Sequence, residues 1–287
     1  ANDARGDYPH ARMAMKKMVT NLHTKRSDFF YELFPVPLMS VLAVVQQGAE
    51  QHSDVGSYTM DGLLNWFYCF YGCCQFLKGT DVWATEKRGM MPALNFGERM
   101  SQDKFKRWMR YMSEGPENAS RSGPWREIRW LVEGYNENRR QTINLSWLCV
   151  VDETMWAWTG QGMPHLPYVP RKPEPLGAEV KNLCDGISGV MLYLELQEGK
   201  VRMANQKFCN KYKATTATTV RLAEGAGLSE TDVRPEDKVG RLLVGDSWFA
   251  SVHTADALMK ELGVHFVGNV KTATVGFPME RRRWDLS

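Results

Sequence analysis

Apolar residues in the first half of the chain recur at helical spacing. Met13–Leu22 and Phe29–Gln47 have this spacing, interrupted at Pro35 and Pro37, which cannot continue a helix. Residues 60–78 read as an aromatic-rich helix with Asp61 as N-cap and Gly79 beyond its end. Ser101 opens a further helix. In it Phe105, Trp108, Met109 and Met112 recur at i, i+3, i+4 and i+7, while Lys104, Lys106, Arg107 and Arg110 take the other face. A loop rich in Gly, Pro and Ser, from Ser113 to Pro124, leads to an amphipathic helix from Trp125 to Arg139, with Ile128, Leu131, Val132 and Tyr135 on one side. At about residue 145 the pattern becomes that of strands. Ser146–Asp152, Glu179–Cys184, Val190–Leu196, Arg241–Asp246 and Val264–Val270 are short apolar runs. Asp185–Gly189 is a hairpin turn, residues 160–177 are a Gly/Pro-rich connection, and Ser229–Lys238 is a polar surface loop. Thr215–Ala226 and Ser251–Leu262 read as helices. This order predicts an α/β fold with a mixed sheet, preceded by a mainly helical domain, with 1–144 and 145–287 as the two domains.

The length of 287 residues suits one large or two ordinary domains, and 43% hydrophobic with 24% charged residues is globular composition. Ten Trp assign much of the core to large aromatics. A net charge of +3 permits nucleic-acid binding without demanding it. No run of about 18 apolar residues occurs, which argues against a membrane span. Ala1 is not Met, no signal-peptide core follows it, and the end at Leu286-Ser287 is equally abrupt, so the chain reads as an internal piece of something longer. The six Cys show no Cys-x₂-Cys pair and no zinc pattern, so they read as reduced structural residues suited to an intracellular compartment.

Two of the apolar runs end on a carboxylate. Val150-Val151-Asp152 and Leu242-Leu243-Val244-Gly245-Asp246 each read as a strand delivering an Asp at its C-terminal end. Two such hard oxygen donors suit Mg²⁺ in phosphoryl transfer, and either is equally at home as a strand-end turn residue. Glu153 alternates to the opposite face and reads as structural. Lys172, Lys181 and Lys271 are candidate contacts to DNA phosphates or plain solvated lysines. The same two readings apply to Arg281-Arg282-Arg283 and to the early group Arg12, Lys16, Lys17, Lys25 and Arg26. Trp248 reads as a core residue or a base-stacking platform. Asp185 reads as a turn residue only, and His165, His253 and His265 lack metal-pair spacing.

A series of segments in order resembles the piggyBac-type transposases and the proteins derived from them, over roughly Asp81 to Phe277. These are Met100-Ser101-Gln102-Asp103-Lys104-Phe105; Asp152-Glu153-Thr154-Met155 with Gly160; Pro170-Arg171-Lys172-Pro173 with Gly177 and Lys181; Cys184-Asp185 to Gly189 with Tyr193 and Gly199-Lys200; Asp246-Ser247-Trp248-Phe249-Ala250-Ser251; and Gly268-Asn269-Val270-Lys271. The resemblance implies an RNase H-like catalytic domain of DDE type, in which three Asp hold two Mg²⁺ (or Mn²⁺) ions and cut and rejoin DNA at TTAA targets. Asp152 and Asp246 match the first two of the three. Asp285, the one late candidate, comes too early for the third, and the family's Cys-rich C-terminal module has no counterpart, so the chain is either a fragment truncated before the third acid or a degenerate copy. The resemblance further implies a helical DNA-binding and dimerisation domain over 1–144, double-stranded DNA (transposon ends and target) as partner, a homodimer, no membrane and a nuclear location. With two of three acids, little or no catalytic activity is expected of this polypeptide. The alternative is a transposase-derived DNA-binding or chromatin-associated protein without strand transfer, and a non-functional remnant is a third reading.

Overall fold

The computed structural model describes residues 14–15, 25–76, 81–87, 93–116, 123, 125–158, 162–170, 172–173, 175–229 and 241–271. Arg12, Lys16, Lys17, Gly160, Arg171, Arg281–Arg283, Asp285 and nearly all of the expected loop at Ser229–Lys238 lie outside them. The chain divides into two compact units, Val36–Leu131 and a second formed by Ala1–Pro35 with Val132–Ser287. The division therefore falls inside a helix and not at the expected 144/145 junction. Composition changes where strands begin, but the end of that helix and residues 14–15 and 25–35 already belong to the sheet unit.

In the second unit a short strand β1 (Ala14–Met15) pairs antiparallel with β2 (Ile143–Asn144), in place of part of the helix expected at Met13–Leu22. Helix α1 (Arg26–Leu33) ends before Pro35, as proline's missing N–H requires.

The Val36–Leu131 unit holds α2 (Leu38–Gln51), α3 (Met60–Gln75) and α4 (Gln102–Ser113). The α3 N-cap is Thr59, whose hydroxyl accepts from Gly62 N at 3.3 Å, so the expected cap at Asp61 moves by two positions. Ser101 caps α4 as expected, accepting from Lys104 N at 3.3 Å. On α4 the buried stripe is Phe105, Trp108 and Tyr111, and Met109 is 40% exposed. The aromatics of α3 and α4 interlock: Trp66 stacks between Phe70 and Phe105 and donates from Nε1 to the Phe105 carbonyl at 3.2 Å. Close approach is bought by glycine. A Cβ on Gly48 of α2 would meet Tyr111 Cβ at 2.8 Å and its Cα at 3.1 Å. Beside this contact, Asp54 accepts from Tyr58 Oη (2.6 Å), Tyr111 Oη (2.8 Å) and Gly56 N (2.8 Å), with Arg107 at 3.7 Å.

Helix α5 (Arg126–Thr142) leads to the five-stranded sheet, whose order is β5-β4-β3-β6-β7. These strands are β3 (Leu148–Ala157), β4 (Gly177–Asp185), β5 (Met191–Leu196), β6 (Leu242–Gly245) and β7 (His265–Gly268). Strands β3, β4 and β5 are antiparallel, whereas β6 and β7 run parallel to β3, the RNase H-like arrangement of a mixed sheet. Helix α6 (Lys200–Ala204) follows β5; α7 (Ala214–Gly225) and α8 (Val252–Leu262) cover one face. There Cys149, Val151, Leu183 and Leu243 meet Val220, Leu222, Phe249, Ala257 and Leu258 in one buried cluster. At the β5 edge, Asn136 of α5 donates to the Leu194 carbonyl (2.8 Å) and accepts from Leu194 N (2.9 Å), filling a position that another strand would otherwise take.

Two outcomes are expected. Gly48→Ala gains up to about 1 kcal/mol of helix propensity but must push Tyr111 away, an overpacking that costs about 1–3 kcal/mol. Urea denaturation should show a net loss of about 1 kcal/mol. The hydroxyls of Tyr58 and Tyr111 and the Gly56 amide hold the Asp54 carboxyl down at about 2, against burial that raises it. A depressed folded value adds stability that is fully present above the ordinary carboxylate range and is lost as pH falls through 2. Between about pH 4 and 2, Asp54→Asn should flatten the fall in urea midpoint read by tryptophan fluorescence; an unchanged slope would contradict the assignment.

Candidate functional site

The parallel ladder of β3 and β6 pairs Leu148 with Leu242 and ends at Val151 with Gly245. The next residues are Asp152 and Asp246, so the carboxylates lie side by side on adjacent strands, about 4.8 Å apart in backbone terms, and share a face. That face is opposite the helices: Val151 and Gly245 are buried, whereas both Asp are exposed. Asp246 is at the C-terminal end of its strand, as expected. Asp152 is not, because β3 continues to Ala157 with only β4 beside it, from Glu153 opposite Lys181 to Ala157 opposite Gly177. The carboxylates thus mark the notch where β6 leaves the sheet.

Each carboxylate uses one oxygen to fix itself. Asp152 Oδ1 accepts from Glu153 N at 2.8 Å, and Asp246 Oδ1 accepts from Trp248 N at 2.8 Å in a turn closed by Ala250 N on the Asp246 carbonyl at 3.0 Å. Among the described residues neither carboxylate has an ion pair. Two like charges about 5 Å apart would repel by about 1 kcal/mol in water and by several times that at lower effective dielectric. Hard, exposed and unneutralised oxygens in this arrangement fit a divalent cation. Among the described residues no group of three His, Cys, Asp or Glu comes together.

Asp152 is flanked on β4 by buried Asn182, directly opposite it in register. Asn182 donates to Thr154 Oγ1 at 2.7 Å and faces the Cys184 thiol at 3.7 Å. Burial, then the charges of Asp152 and Asp185, raise the Cys184 thiol above its ordinary value. Cys149 is buried on the other face, where burial pushes it to about 12. Asp185 is the hairpin residue expected. Its carboxylate gathers Ser146 N (2.9 Å), Ile187 N (3.1 Å), Ser188 N (2.8 Å) and Ser188 Oγ (2.8 Å). Burial raises its pKa, but the hydrogen bonds from Ser146 and Ser188 outweigh that and lower it.

The lysines separate. Lys271 is exposed just beyond β7. Lys172 is half-buried, with Nζ 3.4 Å from Glu153. Lys181 corrects its expectation: at 1% exposure its ammonium is not displayed to a phosphate. It lies on the helix-covered face, 2.8 Å from Glu179 Oε1, 3.8 Å from Glu153 Oε2 and 3.5 Å from the centroid of the Trp248 ring. Burial of a charge requires such partners. Glu153 projects away from Asp152, as alternation requires. Trp248, 38% exposed, stands edge-on to buried Phe249 at 4.6 Å, so it lies at the rim of the core and not inside it as expected. His165 and His265 are exposed, and His253 is on α8. No helix among the described residues is long and apolar enough to cross a membrane.

A family model described as Transposase IS4 matches residues 27–283. No curated protein matches the chain in sequence. The fold is similar to the cryo-EM structure of a piggyBac transposase synaptic complex with hairpin DNA, with a TM-score of 0.62 and 16% identity over 93% of this chain and 55% of that one, so the chain spans about half the length of that transposase. With nearly its whole length inside the family match and its two carboxylates on the strands where the fold brings them together, the chain belongs to the Transposase IS4 family of DDE transposases and has the piggyBac-type fold.

Proposed function

We propose that the chain carries the first two ligands of a metal-dependent DNA transposase that cuts and rejoins DNA at transposon ends. The observation that carries this reading is the placement of Asp152 and Asp246: each follows directly on the last paired position of two adjacent strands, both are exposed, each is oriented through one oxygen, and among the described residues neither has a cationic partner. These two side chains would hold Mg²⁺ or Mn²⁺, together with a third carboxylate. A bound pair of ions supplies activation of a water or 3′-hydroxyl and stabilisation of the leaving oxygen.

The chain's own residues prepare the site without the metal. The Asx turn on Trp248 N fixes the direction of Asp246, and the β3–β4 ladder fixes Asp152. Asn182, its amide engaged by Thr154 and Cys184, places a neutral neighbour beside Asp152, so the negative charge there is not compensated before a cation arrives. Lys271 supplies an exposed charge for a DNA phosphate, and Lys172 a weaker one because Glu153 already holds it. Double-stranded DNA as substrate, a homodimer acting on two DNA ends and a nuclear location complete this reading. It draws support from the family membership and from a similar structure whose title describes a synaptic complex with hairpin DNA.

A second reading is a transposase-derived DNA-binding protein without strand transfer, which needs no third ligand beside the pair. Calorimetric titration with Mn²⁺ separates the two. Binding by the wild type that weakens at least about tenfold in both Asp152→Ala and Asp246→Ala is expected, since even supporting residues of metal sites typically contribute that much. Absence of binding in the wild type would favour the second reading. Equal binding by all three proteins would place the metal elsewhere.

A further inference from the structure

The two carboxylates come from segments remote in sequence, and the ladder that joins their strands ends one residue before them. Something beyond the ladder must hold the Asp246 turn against the continuing part of β3. One buried side chain occupies that position. Lys181 stands on β4 opposite Glu153, the residue after Asp152, and its ammonium reaches the Trp248 ring. The backbone N–H of Trp248 in turn donates to Asp246 Oδ1 at 2.8 Å.

We propose that Lys181 is a positioning residue: it clamps the Asp246 turn to the β3–β4 hairpin through Trp248 and so sets the spacing of the two metal-binding carboxylates. This inference rests on the function proposed above. The arrangement is a chain of four contacts. Glu179 holds the ammonium at 2.8 Å and Glu153 approaches at 3.8 Å, both from the hairpin side. The ammonium lies 3.5 Å from the Trp248 centroid and 5.4 Å from that of Phe249, on the turn side. Phe249 is fully buried, so the turn cannot withdraw without opening the core. A cation over an indole face is attracted more strongly when it is desolvated than when it is exposed. The geometry requires a charge there and not merely volume: an apolar side chain of equal length would fill the space but leave Glu179 and Glu153 facing each other across it.

The test needs one readout that does not depend on metal. Protein labelled with 5-fluorotryptophan gives a ¹⁹F line for Trp248, assigned by its loss in Trp248→Phe. In Lys181→Met that line should move toward the position of free 5-fluorotryptophan while the line of Trp147, at the other end of β3, stays in place. Lys181→Arg, which keeps a cation beside the ring, should hold the line nearer its wild-type position than Lys181→Met does. Mn²⁺ binding should weaken about tenfold in Lys181→Met and recover in Lys181→Arg. If Lys181→Met does not fold, the double variant Lys181→Met/Glu179→Gln removes the closer opposing charge and is measured in its place. A Trp248 line unchanged by loss of the lysine would overturn the clamp, as would a shift shared equally by Trp147, which marks general loosening. If the wild type binds no Mn²⁺, the metal-site reading fails, and the fluorine line still decides whether Lys181 holds the turn.

Discussion

Parallel pairing of β3 with β6 in one register is the constraint on which the site depends. Val151 opposite Gly245 places both following carboxylates on the exposed face and leaves Cys149, Val151 and Leu243 for the core beneath α7 and α8. Side chains alternate along a strand, so a slip of one residue in either strand would turn its Asp into the core and its apolar residues outward. Burial of the apolar set therefore enforces alignment of the charged set. Gly245 contributes as well: a Cβ there would meet Val151 Cγ1 at 3.0 Å and Phe249 Cβ at 3.1 Å, so the last paired position is crowded on all sides. The charge repulsion between the two carboxylates is small beside the apolar surface that holds their strands together, which is why such a pair can exist before any cation neutralises it.

The two faces of the sheet treat charge in opposite ways. On the exposed face Asp152 and Asp246 have no counterion among the described residues, and Asn182 adds only a neutral dipole. On the covered face Lys181, Glu153, Glu179 and Lys172 compensate one another at distances from 2.8 to 3.8 Å. Only the compensated group can survive out of water; the uncompensated pair can persist because water, and then a ligand, reaches it. The sheet thus separates charges that maintain structure from charges kept available for binding, although Asp152 and Glu153 are neighbours in sequence.

Much of this was legible in the sequence. The alternation in Val190–Leu196, the Ser101 cap and the apolar runs before Asp152 and Asp246 each report a local preference, and the elements formed close to where they were expected. The misreadings have a common physical origin in contacts between distant residues. Thr154-Met155-Trp156 lacks the apolar run of a buried strand, so β3 was read as ending at Asp152; pairing with β4 extends it. Lys181 looked like a surface cation because its partners Glu153 and Trp248 come from other strands and turns. One signal could have placed it: Val180 and Leu183 beside it mark a strand covered on both sides, where a lysine must find a counterion. The two compact units divide within α5, whereas the change of composition at residue 145 marks where strands start.

The amide of Asn136 on the edge of β5 has a consequence for how the protein is made. Helix α5 precedes every strand of the sheet, so it leaves the ribosome first. The group that will stop the sheet from growing is synthesised before the edge it stops. A nascent β5 meets an amide offering one donor and one acceptor at Leu194, the same pair that the edge strand of a neighbouring chain would offer. Order of synthesis thereby gives intramolecular closure a head start over association between chains.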